Sequence, residues 1–272
     1  MILFPNAKIN IGLNIVAKRT DGYHDIETIM YPIGWSDILE IIPSNNTSLS
    51  ITGRTIACDI EKNLVMKAYR LMAQIYNIPE VEIHLHKIIP DGAGLGGGSS
   101  DAAHTLIALN ALYNLNLSED ELANIAAKLG ADCPFFIYNK PMIATGIGTD
   151  FSPINIDLKD YYILVVKPQV SVPTSVAYSN VTPMVPKYKL GELVNKPIDY
   201  WMNDIKNDFE ESIFKSFPII DNIKKQIYNM GAIYVSMSGS GSSVYGIFNR
   251  DILAENLLEK FPNCDIYINN KI

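Results

Sequence analysis

The stretch from Pro90 to Leu106, PDGAGLGGGSSDAAHTL, contains five glycines, two adjacent serines and then a run of small residues. The preceding segment, Val81–Ile89, alternates apolar and polar residues, which predicts a β-strand, and the run from Asp101 predicts the first turns of a helix. Glycines let the backbone bend and let a ligand approach without a Cβ in the way. A helix N-terminus presents free N–H groups and the positive end of its dipole. The order of strand, glycine loop and helix therefore predicts a phosphate-binding loop.

Two other nucleotide-binding patterns and one purely structural interpretation compete for this loop. Gly92-x-Gly94-x-x-Gly97 fits the dinucleotide fingerprint, but that fold also needs an acidic residue about twenty positions later, and Tyr113–Leu117 has no carboxylate. The Walker A loop needs Lys followed by Ser or Thr after its last glycine, and this pair is missing. An ordinary turn would not need five glycines, because each one loses much conformational freedom on folding.

Composition limits the class of protein. The 272 residues are 48% hydrophobic, which is enough for one large or two modest domains. The net charge of −7 argues against a general nucleic-acid-binding surface, so a phosphate site must be local. Three widely spaced cysteines argue against a disulfide framework and suit a reducing cytosol. The sequence has neither an N-terminal leader pattern nor an apolar run of membrane length, so we expect a cytoplasmic protein without a membrane partner.

Two further patterns carry candidate chemistry. Ala7–Ile15 alternates with period two, which predicts a strand with one buried face and places Lys8 and Asn10 together on the other face. A solvated strand face is the simplest interpretation of that pair. In the run GADCPFF, Asp132 precedes Pro134 by two residues, so it is either a helix N-cap or a functional carboxylate.

Periodicity and turn signals predict the elements between these motifs. Ile26–Tyr31 and Ser36–Ile42 are predicted as strands with a break between them at Pro32–Trp35. The segment Ala232–Phe248 is predicted as strand, Gly/Ser turn and strand, and Asp251–Phe261 as the last helix.

The glycine loop followed by Ser99-Ser100 resembles the nucleotide loop of the GHMP kinase superfamily, which includes galactokinase, homoserine kinase and mevalonate kinase. The run GLGGGSSDAA is most similar to the branch that phosphorylates 4-diphosphocytidyl-2-C-methyl-D-erythritol in the non-mevalonate (MEP) route to isoprenoids. The motifs KR-x-DGYH and V-P-T-x-x-A-Y match the same branch. The resemblance implies an α+β fold of two domains, a ribosomal S5 domain 2-like domain over residues 1–155 and a ferredoxin-like domain over residues 156–272.

The resemblance also implies roles for individual residues. ATP would donate its γ-phosphoryl group to the 2-hydroxyl of the methylerythritol part, with Mg²⁺ expected beside ATP and no metal ligand fixed by the sequence. The catalytic pair would be Lys8 and Asp132, the latter as base. The residues expected to bind ATP are Asn63, Leu64, Lys87, Pro90, Asp91, Gly92, Ala93, Gly94, Leu95, Gly96, Gly97, Gly98, Ser99 and Ser100. The residues expected to bind substrate are Asn10, Tyr23, His24, Thr174, Tyr178, Gly239, Ser240 and Gly241.

These assignments lead to two structural expectations. A cytosine is expected between the Tyr23-His24 pair and Tyr178, which would meet across a cleft because they come from different predicted domains. A Cβ on Gly97 is expected to block the approach of phosphates or to require a φ that the new residue cannot take. Two rivals remain: a GHMP kinase acting on a small alcohol such as homoserine or mevalonate, and a non-catalytic relative that binds nucleotide or sugar. No obligate protein partner is inferred.

Overall fold

The computed structural model describes residues 1–55, 58–179, 181–252 and 256–269. The described strands are β1 (Ile2–Leu3), β2 (Asn6–Lys18), β3 (His24–Ser36), β4 (Ile38–Pro43), β5 (Ser48–Gly53), β6 (Val81–Lys87), β7 (Met142–Thr145), β8 (Asp150–Pro153), β9 (Tyr162–Pro168), β10 (Tyr234–Met237), β11 (Val244–Phe248) and β12 (Cys264–Ile268). The described α-helices are α1 (Leu64–Tyr76), α2 (Gly97–Leu112), α3 (Glu119–Ala126), α4 (Cys133–Tyr138), α5 (Thr174–Ser179), α6 (Leu190–Leu193), α7 (Trp201–Asp204), α8 (Glu210–Ser216), α9 (Pro218–Asn229) and α10 (Leu257–Lys260).

The chain forms two compact units that alternate along the sequence. The first comprises residues 1–8, 34–91 and 96–140, and the second comprises residues 9–33, 92–95 and the chain from residue 141 onward. The compact units therefore do not follow a single cut near residue 155. As a statement about family domains, the boundary between 1–155 and 156–272 stays a prediction.

The first unit is a four-stranded sheet with helices. The strand order is β1-β4-β6-β5, in which β5 runs parallel to β6 and the other pairs are antiparallel. The alternation predicted for β6 is confirmed, because Val81, Ile83 and Leu85 are fully buried and the intervening residues are less so. Ser118 caps α3 through a complete capping box with Glu121, which satisfies two helix N–H groups locally.

The second unit contains two four-stranded sheets. One has the order β2-β3-β7-β8, and the other has the order β10-β11-β9-β12 with all its pairs antiparallel. The second sheet shares a buried apolar cluster with α8 and α9, to which these helices contribute Ile213, Ile220 and Ile227. The mixed α+β content predicted from the sequence is confirmed in both units. No helix in the described ranges is long and apolar enough to span a membrane.

Several local predictions are wrong in detail. Strand β3 continues through Pro32, which lies beyond the residues Thr28–Met30 that pair with β7, so its missing N–H breaks no bond to that strand. Strand β2 is buried on both faces, because Lys8 and Asn10 are 4% and 2% exposed.

Two helix predictions also change. Helix α2 begins at Gly97, so Ser99 and Ser100 lie inside its first turn instead of before it. The last helix, predicted over Asp251–Phe261, appears as α10, and residues 253–255 of that prediction lie outside the described residues.

Candidate active site

The glycine loop ends in a helix N-terminus that is open at one position. Gly96 is the N-cap of α2 with a φ of +72°, a conformation that residues with a Cβ rarely adopt. The first helical bond runs from the Ser100 N–H to the Gly96 carbonyl, so the N–H groups of Gly97, Gly98 and Ser99 have no partner within the helix. A Cβ on Gly98 would lie no closer than 3.8 Å to a described side chain, Leu64. This combination of free N–H groups and open approach suits an anion.

Gly97 faces the opposite way from Gly98. A Cβ on Gly97 would lie 3.0 Å from Ile89 Cγ2 and 3.4 Å from Lys87 Nζ, which are both in the interior of the first unit. A Cβ here would point into the interior and Gly97 has no positive φ, so the expected effect on phosphate binding stays a prediction. The absence of a side chain at Gly97 serves the packing of α2, and the open face of the loop lies at Gly98.

Lys8 and Asp132 form an ion pair beside this helix start. Lys8 Nζ lies 3.5 Å from Asp132 Oδ2, and the two side chains are 4% and 33% exposed. A Cβ on Gly96 would lie 3.2 Å from Lys8 Cε, so the lysine reaches the point where α2 begins. Asp132 occupies the N-cap position of α4, but its side chain makes no capping bond. The carboxylate is therefore oriented toward Lys8, and the N-cap interpretation does not account for it.

The thiol that follows Asp132 takes no part in acid–base chemistry at neutral pH. Cys133 is fully buried, and that burial raises the pKa of its thiol to about 11, against the opposing effect of Ser99. The Cys133 thiol is therefore neutral.

The predicted ATP residues around the loop occupy different environments. Ser100 is fully buried with its Oγ 3.3 Å from His104 Nδ1, whereas Ser99 is partly exposed. Burial lowers the pKa of His104, so the neutral ring is the natural partner of Ser100. Asn63 caps α1, because its Oδ1 accepts the Val65 N–H at 2.9 Å. These contacts give Ser100 and Asn63 structural roles in addition to any contact with nucleotide.

Lys87, predicted to bind ATP, lies in the interior of the first unit. Its ammonium donates to Asp37 Oδ2 and, at 2.7 Å, to Asp101 Oδ2, and its side chain is 1% exposed. The ammonium has three N–H donors, so a bond from it to ATP stays a prediction, although the surrounding side chains enclose the nitrogen. The sequence contains no local signal for this cluster, because Asp37 is 50 residues from Lys87.

The second unit brings together a different set of predicted residues. Ser238 Oγ donates to the Gly94 carbonyl at 2.8 Å and accepts the Asn10 N–H at 3.2 Å. Asn207 Nδ2 donates at 2.8 Å to the carbonyls of both Met237 and Gly239. Strand β2, loop residues 92–95 and the turn that follows β10 therefore share one network. Ser238 and Asn207 were not among the predicted site residues.

The remaining substrate candidates lie near this turn or on a separate aromatic cluster. Thr174 Oγ1 lies 3.5 Å from Ser240 Oγ, so these two predicted residues are brought together. Gly239 and Gly241 both have positive φ, and a Cβ on Gly239 would lie 3.2 Å from Asn10 Oδ1.

His24 and Tyr178, two aromatic residues of the predicted cytosine site, lie in contact, and the site itself stays a prediction. The rings of His24 and Tyr178 belong to the same compact unit and stack on each other, with centroids 4.9 Å apart and an interplanar angle of 25°. Tyr178 also contacts Phe209 edge to face at 4.8 Å. Two rings in direct contact leave no gap between them, so a cytosine would not lie between His24 and Tyr178 in this arrangement. Tyr23, which is 61% exposed, is the aromatic side chain of this group that faces solvent.

Comparison with known families identifies the fold that carries these contacts. The model of the GHMP kinases N terminal domain matches residues 63–140, and that of the GHMP kinases C terminal domain matches residues 190–265. This chain belongs to the GHMP kinases. The GHMP kinase fold, with its two domains of mixed α+β content, is thereby confirmed, and the chain is a phosphotransferase.

Individual relatives are similar over nearly the whole length of this GHMP kinase. A protein of Azobacteroides pseudotrichonymphae named 4-diphosphocytidyl-2-C-methyl-D-erythritol kinase is 54% identical over 251 residues, which cover 92% of this chain and 94% of the relative. A protein of Parabacteroides distasonis with the same name is 53% identical over 250 residues, which cover 92% of this chain and 92% of the relative. The crystal structure of a 4-(cytidine 5'-diphospho)-2C-methyl-D-erythritol kinase aligns with a TM-score of 0.82 and 31% identity over 98% of both chains.

More distant members share only the architecture. The homoserine kinase of Cytophaga hutchinsonii aligns with a TM-score of 0.72 at 19% identity, over 97% of this chain and 94% of that one. At this level of identity the likeness shows the fold and carries no information about the substrate of this GHMP kinase.

Proposed function

We propose that this GHMP kinase transfers the γ-phosphoryl group of ATP to the 2-hydroxyl of 4-diphosphocytidyl-2-C-methyl-D-erythritol, a step in MEP isoprenoid precursor biosynthesis. The observation that carries the proposal is identity above 50% to two kinases of that name, over 92% of this chain. The site geometry supports a phosphoryl transfer, because an ion pair of lysine and aspartate lies beside the start of a glycine-led helix.

The residues divide the chemistry between positioning and charge. Phosphoryl transfer relies mainly on holding the reactants in line and stabilising negative charge. The free N–H groups of Gly97, Gly98 and Ser99 would bind phosphate oxygens, and the positive end of the α2 dipole would add to their effect. Lys8 would stabilise charge on the transferred group. The acceptor hydroxyl would lie near the carboxylate of Asp132.

Asp132 would act as the general base. Its carboxylate would accept the proton of the substrate hydroxyl while the oxygen forms a bond to the γ-phosphorus. The bond from that phosphorus to the β–γ bridging oxygen would break, and ADP would leave with the electron pair. Asp132 is 33% exposed, as a base that a substrate must reach should be, whereas its ion-pair partner Lys8 is buried.

Magnesium fits this site as a partner of ATP. Among the described residues no three His, Cys, Asp or Glu side chains form a group that could hold a metal ion. Mg²⁺ commonly keeps several waters and binds through substrate phosphates plus one or two carboxylates, so a dedicated cage is not required. The ion would neutralise charge on the phosphates, and Asp132 would remain the base beside the same helix start.

The substrate would contact residues of the second unit. Asn10 would offer its side-chain amide, and Gly239, Gly241, Thr174 and Ser240 would offer backbone and hydroxyl groups, to the polar methylerythritol diphosphate part. Tyr23 offers an exposed ring on which a cytosine can stack, and the contact of His24 with Tyr178 fixes the segment beside it. We further propose that the enzyme works in the cytoplasm on small molecules and needs no nucleic acid, membrane or obligate protein partner.

A substrate panel tests the proposal directly. ADP release would be measured with 4-diphosphocytidyl-2-C-methyl-D-erythritol, homoserine and mevalonate at equal concentration, with saturating ATP and Mg²⁺. We expect turnover of the cytidine compound, and phosphorus NMR of the product should place the new phosphate on the 2-hydroxyl. Turnover of homoserine or mevalonate instead would identify a different GHMP kinase. ATP binding without turnover of any alcohol would refute a catalytic role.

A further inference from the structure

Both ends of the glycine loop are attached to one buried cluster of charges in the first unit. Asp37 Oδ1 accepts the N–H of Ile88 and, at 2.8 Å, the N–H of Ile89, which directly precede the loop. Asp37 Oδ2 and Asp101 Oδ2 both accept from Lys87 Nζ, and Asp101 lies one turn into α2, directly after the loop. The chain that enters the loop and the helix that leaves it are therefore bonded to the same ammonium and carboxylates.

The cluster is fully enclosed, so its members depend on one another. The side chains of Lys87, Asp37 and Asp101 are 1%, 0% and 3% exposed. Asp101 Oδ1 is buried and has no hydrogen-bond partner among the described residues. Breaking a buried pair by removing one partner is costly, because the other charge is left in the interior without compensation.

The protonation of Asp101 matches its position beneath an anion site. Burial raises the pKa of Asp101 to about 8, against the opposing effect of the Lys87 ammonium. Burial alone would lower the pKa of Lys87, but Asp101 and Asp37 together raise it. A protonated Asp101 leaves one ammonium and one carboxylate, so the cluster adds no net negative charge below the phosphates.

We infer that Asp101 and Asp37, acting through Lys87, are positioning residues that fix the two ends of the phosphate-binding loop and thereby the direction of the N–H groups at the start of α2. The inference rests on the proposed function of this loop as the ATP phosphate site. It assigns Lys87 to the support of the loop and not to a contact with ATP. The packing agrees, because a Cβ on Gly97 would lie 3.4 Å from Lys87 Nζ on the inner side of the loop.

Substitution of Asp101 separates the two roles of Lys87. If Lys87 only supports the loop, Asp101→Ala should weaken binding of a non-hydrolysable ATP analogue by at least tenfold and raise KM for ATP, with KM for the alcohol unchanged. If Lys87 is an ATP ligand, loss of Asp101 frees its ammonium, and ATP affinity should stay the same or improve. Asp101→Asn has the shape of the neutral acid and can still accept from Lys87, so it should bind the analogue within about twofold of the parent.

A matched control distinguishes positioning from general damage to the helix. Thr105 Oγ1 donates to the Asp101 carbonyl at 2.8 Å, one turn farther along α2. Thr105→Val should lower Tm without changing ATP affinity. If Asp101→Ala does not fold, Asp37→Asn takes its place and should weaken binding of the ATP analogue. Its Tm and its KM for the alcohol would show that the variant is folded.

The outcomes also distinguish this inference from the proposed function. A parent protein that does not bind the ATP analogue in calorimetry would refute the phosphate loop itself. A parent that binds it, together with an Asp101→Ala variant that binds it equally well, would refute the positioning role alone. Failure of Asp101→Asn to restore affinity, with Tm retained, would also contradict it.

Discussion

Gly98→Ala is a substitution for which the structure predicts opposite effects on stability and on ligand binding. Gly98 lies in the first turn of α2 without a positive φ, and its Cβ would lie 3.8 Å from Leu64 Cδ1, an ordinary contact distance. Alanine is more favourable than glycine in a helix by up to about 1 kcal/mol. The free energy of unfolding should therefore rise by up to about 1 kcal/mol, or about 2–4 °C in Tm for a chain of this size.

ATP binding should respond in the opposite direction. The new Cβ would occupy the exposed face from which, by the proposed function, a phosphate would approach the N–H groups of Gly98 and Ser99. Loss of one hydrogen bond to a charged group costs about 1.5–3 kcal/mol. This free energy corresponds to roughly a tenfold to 150-fold increase in the Kd of ATP. The variant should thus be more stable and bind nucleotide less well.

The neighbouring glycine provides the matched control for this experiment. Thermal unfolding without nucleotide and calorimetric titration with a non-hydrolysable ATP analogue would be measured for Gly98→Ala and Gly97→Ala. Gly97→Ala should lower Tm, because its Cβ would lie 3.0 Å from Ile89 Cγ2 in the interior. A Gly98→Ala variant with raised Tm and unchanged affinity would show that the open face of this helix start does not bind the phosphates.

Three further predictions concern the base, the cytidine subsite and the buried acid. Asp132→Asn should lower kcat by a factor on the order of 10²–10⁴, because the amide cannot accept the proton of the hydroxyl. ATP affinity and Tm should change little, since the Asp132 side chain makes no capping bond. Steady-state turnover near the parent rate would exclude Asp132 as the base. Tyr23→Ala should raise KM for the cytidine substrate without lowering Tm, because the Tyr23 ring is exposed. Tyr178→Ala should lower Tm, because it removes two ring contacts. KM values equal to that of the parent in both variants would show that the cytosine does not bind in this region. Folding raises the pKa of Asp101 from 3.8 to about 8, so the unfolded chain loses this proton at lower pH than the native state does. The parent should therefore lose stability relative to Asp101→Asn as pH rises from about 4 to about 8, by up to about 1.4 kcal/mol per pH unit. A constant difference between the urea midpoints of the two proteins from about pH 6 to about pH 8 would contradict the shift.

The substrate side illustrates why a motif can indicate a group of residues without fixing how their side chains pack. The KR-x-DGYH and V-P-T-x-x-A-Y motifs lie far apart in the chain, and the structure brings His24 and Tyr178 together within one unit. The sequence contains no information on whether two aromatic rings face each other across a gap or in contact. That choice depends on the packing of Phe209 against Tyr178, which neither motif includes.

Local chemistry is what the sequence by itself determined about this protein. The glycine loop, the alternation of β6 and the small residues of α2 each depend on backbone preferences within a few positions, and each is found in the structure. The same local patterns carried the resemblance to the GHMP kinases. They were sufficient because turn geometry, capping and periodicity are set by neighbours in the chain.

Only the tertiary structure decided which of two lysines lies next to a partly exposed carboxylate. Lys8 lies on β2 and Lys87 on β6, and both were expected to contact a bound reactant. In the fold, Lys87 is enclosed by Asp37 and Asp101, whereas Lys8 lies next to the partly exposed Asp132 at the start of α2. The partners come from distant parts of the chain, and an ammonium takes its role from the charges and solvent that surround it in three dimensions.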